Sequence, residues 1–246
     1  MKKILAACFA LMVLASCSNN DNTSVGQSVL VKKTINTDED GTTETQLYTY
    51  NGNKIVKVTS DAGSTMEFTY TGEQITLVKI FQGTTLFATN SYSYNTLGEL
   101  ESYVSLLLPF NMGTQIVYTH NADGSISFTR TTGDLAVQNQ NPVSGKFFFQ
   151  NGEISRQETY EAGSTAVVNY TYDNKLNPLL NITGVSTIGF TEEFMSGFTH
   201  NILTEQQLNN PDHQYSHVYQ YNSNDYPTLD TNTSSTGVST IQYFYE

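Results

Sequence analysis

An aromatic-x-aromatic pair recurs eight times along this chain, mostly followed at once by a short polar turn. Tyr48-Thr-Tyr50 leads into Asn51-Gly52, Phe68-Thr-Tyr70 into Thr71-Gly72, and Tyr92-Ser-Tyr94 into Asn95 to Gly98. The remaining pairs are Tyr118-Thr-His120, Phe147-Phe-Phe149, Tyr170-Thr-Tyr172, Tyr219-Gln-Tyr221 and Tyr243-Phe-Tyr245. A second short apolar run follows most turns, as in Ile55 to Val58 and Ile75 to Ile80. Each unit therefore reads strand, turn, strand, and Asn-Gly or Asp-Gly at the turn tolerates the positive φ that tight hairpins need. A repeat of this kind sets the architecture before any single residue is weighed. The expected fold is all-β: an antiparallel meander of hairpin repeats forming a strongly curved sheet or barrel.

Side chains alternate across a strand, so both rings of a pair lie on one face. Tyr48, Tyr50, Phe68, Tyr70, Tyr92, Tyr94, Tyr118, Tyr170, Tyr172, Tyr219 and Tyr221 are the expected core or ligand-facing residues. The opposite face carries Thr, Ser, Glu and Gln. Counting by twos from Ile55 and Ile75 also puts Lys57 and Lys79 on the apolar face. Neither face then offers the continuous apolar band that a membrane-spanning barrel needs.

The gap between Tyr172 and Tyr221 breaks the repeat. Thr191 can cap a helix start, Glu192 and Glu193 suit its positive end, and Gly197 can stop it. Phe190, Phe194 and Phe198 fall four apart, on one helical face. A short plug helix over one mouth of the sheet is expected here, or a lid over a pocket.

The amino terminus has its own signature. Lys2 and Lys3 precede the apolar run Ile4 to Leu14, which is too short to span a bilayer as a helix. Leu14-Ala15-Ser16-Cys17 follows and resembles the lipobox of bacterial lipoproteins. The resemblance implies a signal peptide over 1–16, lipid attached to Cys17, a tether over 17–27 and a single domain over 28–246. It also implies an outer-membrane location, with the face of that membrane left open. Several acyl chains would hold such a protein stably at the membrane. With Cys8 removed and Cys17 acylated, the domain has no disulfide and no thiolate chemistry.

Chemical motifs are sparse. The formal net charge is −12, which disfavours nucleic acid as a partner. His213 and His217 share a strand face roughly 13 Å apart, too far for one metal ion. Asp38-Glu39-Asp40-Gly41 with Glu44 has the acids of a calcium loop without its spacing, and reads as a solvated hairpin turn. No nucleophile elbow, phosphate loop or dinucleotide fingerprint occurs. No catalytic residue, metal or cofactor is assigned.

The units Tyr92 to Leu100, Tyr172-Asp-Asn-Lys-Leu-Asn-Pro178, His200-Asn201-Ile202 and Tyr221-Asn-Ser-Asn-Asp-Tyr-Pro227 resemble a Bacteroidetes lipoprotein family with a porin-like β fold and no assigned activity. A looser likeness is to the tyrosine-aspartate repeats of Rhs toxin shells, although Gly98-Glu99 and Gly152-Glu153 stand where those repeats carry Gly-Arg. The expected function is a lipid-anchored envelope module that binds without catalysis, its ligand a small molecule, a glycan or a protein. The alternatives are a carrier of a hydrophobic ligand in a barrel cavity and a carboxylate-dependent hydrolase.

Overall fold

The computed structural model describes residues 28–191, 197–208, 210 and 212–246. The strands are β1 (Val31–Thr37), β2 (Thr43–Asn51), β3 (Lys54–Ser60), β4 (Ser64–Thr71), β5 (Gln74–Gln82) and β6 (Thr85–Tyr94). Next come β7 (Leu100–Leu107), β8 (Met112–His120), β9 (Ile126–Gly133), β10 (Gln140–Gln150), β11 (Glu153–Glu161) and β12 (Ser164–Tyr172). The last four are β13 (Ile202–Gln207), β14 (Gln214–Tyr221), β15 (Pro227–Thr233) and β16 (Val238–Tyr245). Each strand pairs antiparallel with its sequence neighbours, and β1 pairs with β16, so the meander closes into a 16-strand barrel. Closure removes both sheet edges.

The aromatic pairs point inward, as their alternation requires. Tyr48 and Tyr50 are half-buried while Leu47 and Thr49, which alternate with them, are exposed. The strand that follows each pair behaves differently. At seven of the eight pairs the ladder shifts register beside the second aromatic. In the first hairpin Tyr50 faces Ile55 but Thr49 faces Lys57, so Val56 is an extra residue. Such a β-bulge re-phases the strand. Residues three apart, not two, then face the lumen: Ile55 with Val58, Ile75 with Val78, and Leu100 with Tyr103, all buried. Lys57 and Lys79 are consequently turned outward, where both lie opposite Glu67. This corrects their expected place on the apolar face.

The ring tips clamp these bulges. Tyr50 donates its hydroxyl to the Val31 carbonyl at 2.7 Å, and Tyr245 donates to that of Pro227 at 2.6 Å. Tyr94 likewise reaches the Ile75 carbonyl, at 2.6 Å. In each case the acceptor is the residue just before the bulge, where the ladder is disrupted. His120 takes the same position, with Nε2 2.9 Å from the Leu100 carbonyl. A carbonyl only accepts, so His120 carries its proton on Nε2 there.

One end of the barrel is closed by the segment between β12 and β13. Its described part contains one helical turn, α1 (Val185–Ile188), and buries Ile182, Val185, Ile188 and Phe190 against the lumen side chains. The expected plug is present in this segment, with its described helix upstream of Thr191. Residues 192–196, including Phe194 and the acids Glu192 and Glu193, lie outside the described residues. Thr191 donates its hydroxyl to the Ile188 carbonyl at 2.7 Å instead of capping a helix through its side chain in the described part.

Buried polar groups pin the plug to the barrel rim. Glu153, 4 % exposed, accepts three backbone N–H groups at 2.8 Å: Oε2 from Phe198, Oε1 from Thr199 and His200. Asp173 accepts from the backbone N–H of Lys175 and Asn201, the Asn201 amide and the Tyr221 hydroxyl. On the opposite side Thr183 donates its N–H to the Asn53 carbonyl at 3.0 Å. Asn181 reaches the Val29 carbonyl at 2.9 Å, which places the start of the described chain at this plugged end.

One glycine is fixed by close approach. Gly145 faces inward from β10, and a Cβ there would stand 2.2 Å from the Phe128 ring and 2.3 Å from the Glu158 carbonyl oxygen. The missing side chain lets Phe128 lie flat over β10 and meet Phe147, with ring centroids 5.1 Å apart.

Candidate functional site

Above the plug the lumen is hollow in several places. The first cavity, about 340 Å³, lies against β2 to β6. Its walls are Tyr48, Ile55, Val58, Met66, Phe68, Val78, Ile80 and Tyr92, and Leu179, Ile182 and Val185 of the plug form its floor. Gln46 and Asn90 are the amides among its lining residues, and no charged side chain lines it. A mostly apolar pocket with a few polar groups is the usual form of a small-molecule site, and this volume falls in the ordinary range.

The second cavity, about 370 Å³, lies against β13 to β16 and is polar. Glu205 and Asp230 project into it, each met by its own histidine. His213 Nε2 stands 2.7 Å from Glu205 Oε1, and His217 Nδ1 stands 2.9 Å from Asp230 Oδ2. Tyr215, Tyr219 and Tyr243 supply its aromatic wall. The Tyr219 ring is stacked on His217, 5.9 Å between centroids and 9° between planes. A third cavity, about 230 Å³, sits among Ile116, Tyr118, Phe128, Phe147 and Phe190 with Arg130 at its edge.

The sequence-derived site residues separate into distinct places. Tyr48, Phe68 and Tyr92 line the first cavity, and Tyr219 lines the second. Tyr50 and Tyr94 spend their hydroxyls on the bulge clamps. Tyr70 donates to the Thr183 carbonyl of the plug at 3.1 Å, and Tyr221 donates to Asp173. Tyr118 packs edge-on against Phe190 at 5.0 Å. Tyr170 lies near Gln157, and Tyr172 and Tyr170 share the wall beside Glu153 outside the three lumen cavities. Phe198 meets Phe149 at 6.1 Å rather than joining Phe190. Cys17 lies outside the described residues. Asp40 accepts the Thr42 N–H within an exposed hairpin turn, and Glu39 accepts from Ser234 and Thr236 of a neighbouring loop.

Burial raises the pKa of most of these tyrosines, because a phenolate would lose its hydration inside the barrel. Tyr70 is pushed up to about 12, chiefly by burial. Tyr219 and Tyr243 are raised further, first by burial and then by the Asp230 charge beside them. They are therefore neutral donors and apolar walls, not general bases at neutral pH.

Sequence reasoning missed Glu153, Asp173, Glu205, Asp230 and Asn232. Their partners lie on other strands or in the plug, so no local spacing marks them. The signal that was available is the three-residue spacing after each turn, as in Ile202 with Glu205 and Pro227 with Asp230. It identifies the bulges and turns both carboxylates inward.

No protein-family model matches the chain, and no curated protein matches it. Among solved structures, a porin-like protein from Bacteroides vulgatus ATCC 8482 superposes with a TM-score of 0.60 at 16% identity, over 89% of this chain and 99% of that one. A porin-like protein from Bacteroides uniformis ATCC 8492 superposes with a TM-score of 0.56 at 11% identity, over 89% and 96%. At these identities the likeness concerns the fold, and the chain has the porin-like, all-β barrel fold.

Proposed function

We propose that this protein is a lipid-anchored cell-envelope module that holds a small apolar ligand in the lumen of its barrel, without catalysis. The observation that carries this reading is the first cavity, with apolar walls on the barrel and an apolar floor on the plug. The polarity of the wall supports it. A spanning barrel needs an apolar outer band about 25 Å tall. Here the outward row across β2 to β6 runs Thr49, Lys57, Glu67, Lys79 and Thr89, while the apolar side chains point into the lumen. Leu47 and Val56 are the exposed apolar side chains of β2 and β3, and they interrupt this polar row without forming a continuous band, so such a wall suits water outside and an oily guest inside.

The expected result is saturable enhancement of N-phenyl-1-naphthylamine fluorescence by the domain, lost when Val78→Trp fills the cavity. Val78 is 2% exposed and central to the lining. Saturable binding that persists unchanged in a folded Val78→Trp variant would sink the reading.

The anchor is a separate element of the proposal. Cys17→Ser in the full chain should move the protein from the detergent phase to the aqueous phase of a Triton X-114 partition. A variant that stays membrane-bound after carbonate washing would remove the lipid from the account. Residues 28 to 31 sit at the plugged end, so an anchored barrel would turn its mouth away from the bilayer.

A further inference from the structure

The second cavity differs in chemistry from the first, and no role in holding an apolar guest accounts for it. Two carboxylates, Glu205 and Asp230, and two histidines line it, and neither lysine nor arginine does. Asp230 is only 4% exposed, so its charge is held in a largely desolvated place. Each histidine hydrogen-bonds one of the two carboxylates, and no lysine or arginine stands in the cavity to pair with either. Isolated buried charge is costly unless something pairs with it. A further acceptor stands beside these groups. Asn232 Oδ1 is a buried carbonyl oxygen with no hydrogen-bond partner. Leaving such a group unsatisfied is itself unfavourable, and native interiors rarely do so.

The complement of this lining is a cation with at least one N–H donor. The rings of Tyr215, Tyr219 and Tyr243 define the rest of it. Aromatic faces attract organic cations and bury their carbon, whereas a metal ion would have to give up its hydration shell to reach them. The described residues also contain no group of three or more side chains spaced to hold a metal. We propose that the second cavity binds a protonated organic amine: an ammonium group against Asp230, with Glu205 adding negative charge to the same cavity, one N–H to Asn232 Oδ1, and an apolar body among the tyrosines. The two cavities lie on either side of β1, separated by Thr34, Tyr48 and Tyr243, so this site is distinct from the apolar one.

Three benzyl probes test the idea by isothermal titration on the whole domain. Benzylammonium should bind saturably. Benzyl alcohol, equal in shape and neutral, should bind at least tenfold more weakly. Benzyltrimethylammonium, charged but without N–H, should fall between them. Asp230→Asn should weaken benzylammonium tenfold or more while keeping the parent's circular dichroism and a cooperative melt, which report an intact barrel. If that variant fails to fold, the less buried Glu205→Gln should show the same selective loss. Asn232→Leu should weaken benzylammonium more than its trimethyl analogue. Absence of saturable binding by benzylammonium, equal binding of the alcohol, or undiminished binding in both folded carboxylate variants would overturn the proposal. Repeating the titrations in the Val78→Trp background, where the first cavity is filled, keeps these outcomes separate from binding at the apolar site.

Discussion

Replacing Glu153 with alanine should lower the stability of the barrel by about 3 kcal/mol or more, read from the urea midpoint at constant slope. The expectation rests on what this one carboxylate does. It is nearly fully buried and accepts the backbone N–H groups of Phe198, Thr199 and His200, three consecutive donors that no strand can serve. Each donor left unpaired in the interior costs roughly 1–3 kcal/mol, less whatever water recovers. Damage should concentrate in the plug. Amide exchange at 198–201 should accelerate far more than exchange in β4 or β8, because local opening there no longer breaks three charge-assisted bonds. Glu153→Gln should be milder. Its amide oxygen can keep the Oε1 bonds from Thr199 and His200, while its NH₂ meets only the Phe198 donor badly. An alanine variant within about 0.5 kcal/mol of the parent, with plug exchange unchanged, would show that the plug is held by its apolar underside alone.

Raising the pH should unfold the barrel cooperatively above pH 10, through its tyrosines. The buried phenols of Tyr70, Tyr219, Tyr243 and Tyr245 all have raised pKa values, with burial the first cause in each. The sign follows from proton counting. Above pH 10 the unfolded chain loses phenolic protons that the folded chain retains, so the unfolded state binds fewer protons and stability falls as pH rises. Below the unfolded value these groups contribute nothing to the slope. For Tyr70 the window runs from about 10, the ordinary value, to about 12. Several tyrosines act in the same direction, and each tenfold difference in proton affinity between the folded and unfolded chain corresponds to about 1.4 kcal/mol before solvent screening. Absorbance at 295 nm should therefore lag an ordinary tyrosine titration and then rise in one step, together with loss of the β signal in circular dichroism. A smooth titration centred near 10 with the β signal intact at pH 12 would contradict the enclosed lumen.

The hairpins and the facing of their first strands were legible because period-two alternation holds there without interruption. Tyr48, Tyr50, Phe68 and Tyr92 could be placed inward from sequence alone. The second strands were not legible in the same way. Val56, Thr76 and Glu101 are bulge residues, and beyond each of them alternation counts the wrong face. That is why counting by twos assigned Lys57 and Lys79 to the apolar face. The plug was visible as a gap in the repeat. Its contacts were not, since Glu153, Tyr221 and Asn53 meet it across long stretches of chain. The cavities themselves are differences in how completely inward side chains fill a cylinder, and no local pattern records that.

The clamp between a ring tip and the carbonyl just before a bulge recurs around the wall, and the seam between β16 and β1 is built like the other bulged junctions. Each hairpin thus brings both the irregularity that bends the wall and the side chain that secures its neighbour. Circumference in such a protein is a matter of counting modules. Adding or deleting a hairpin would leave every local junction chemically the same and change only the width of the space enclosed, so capacity for a guest can be altered without redesigning the wall.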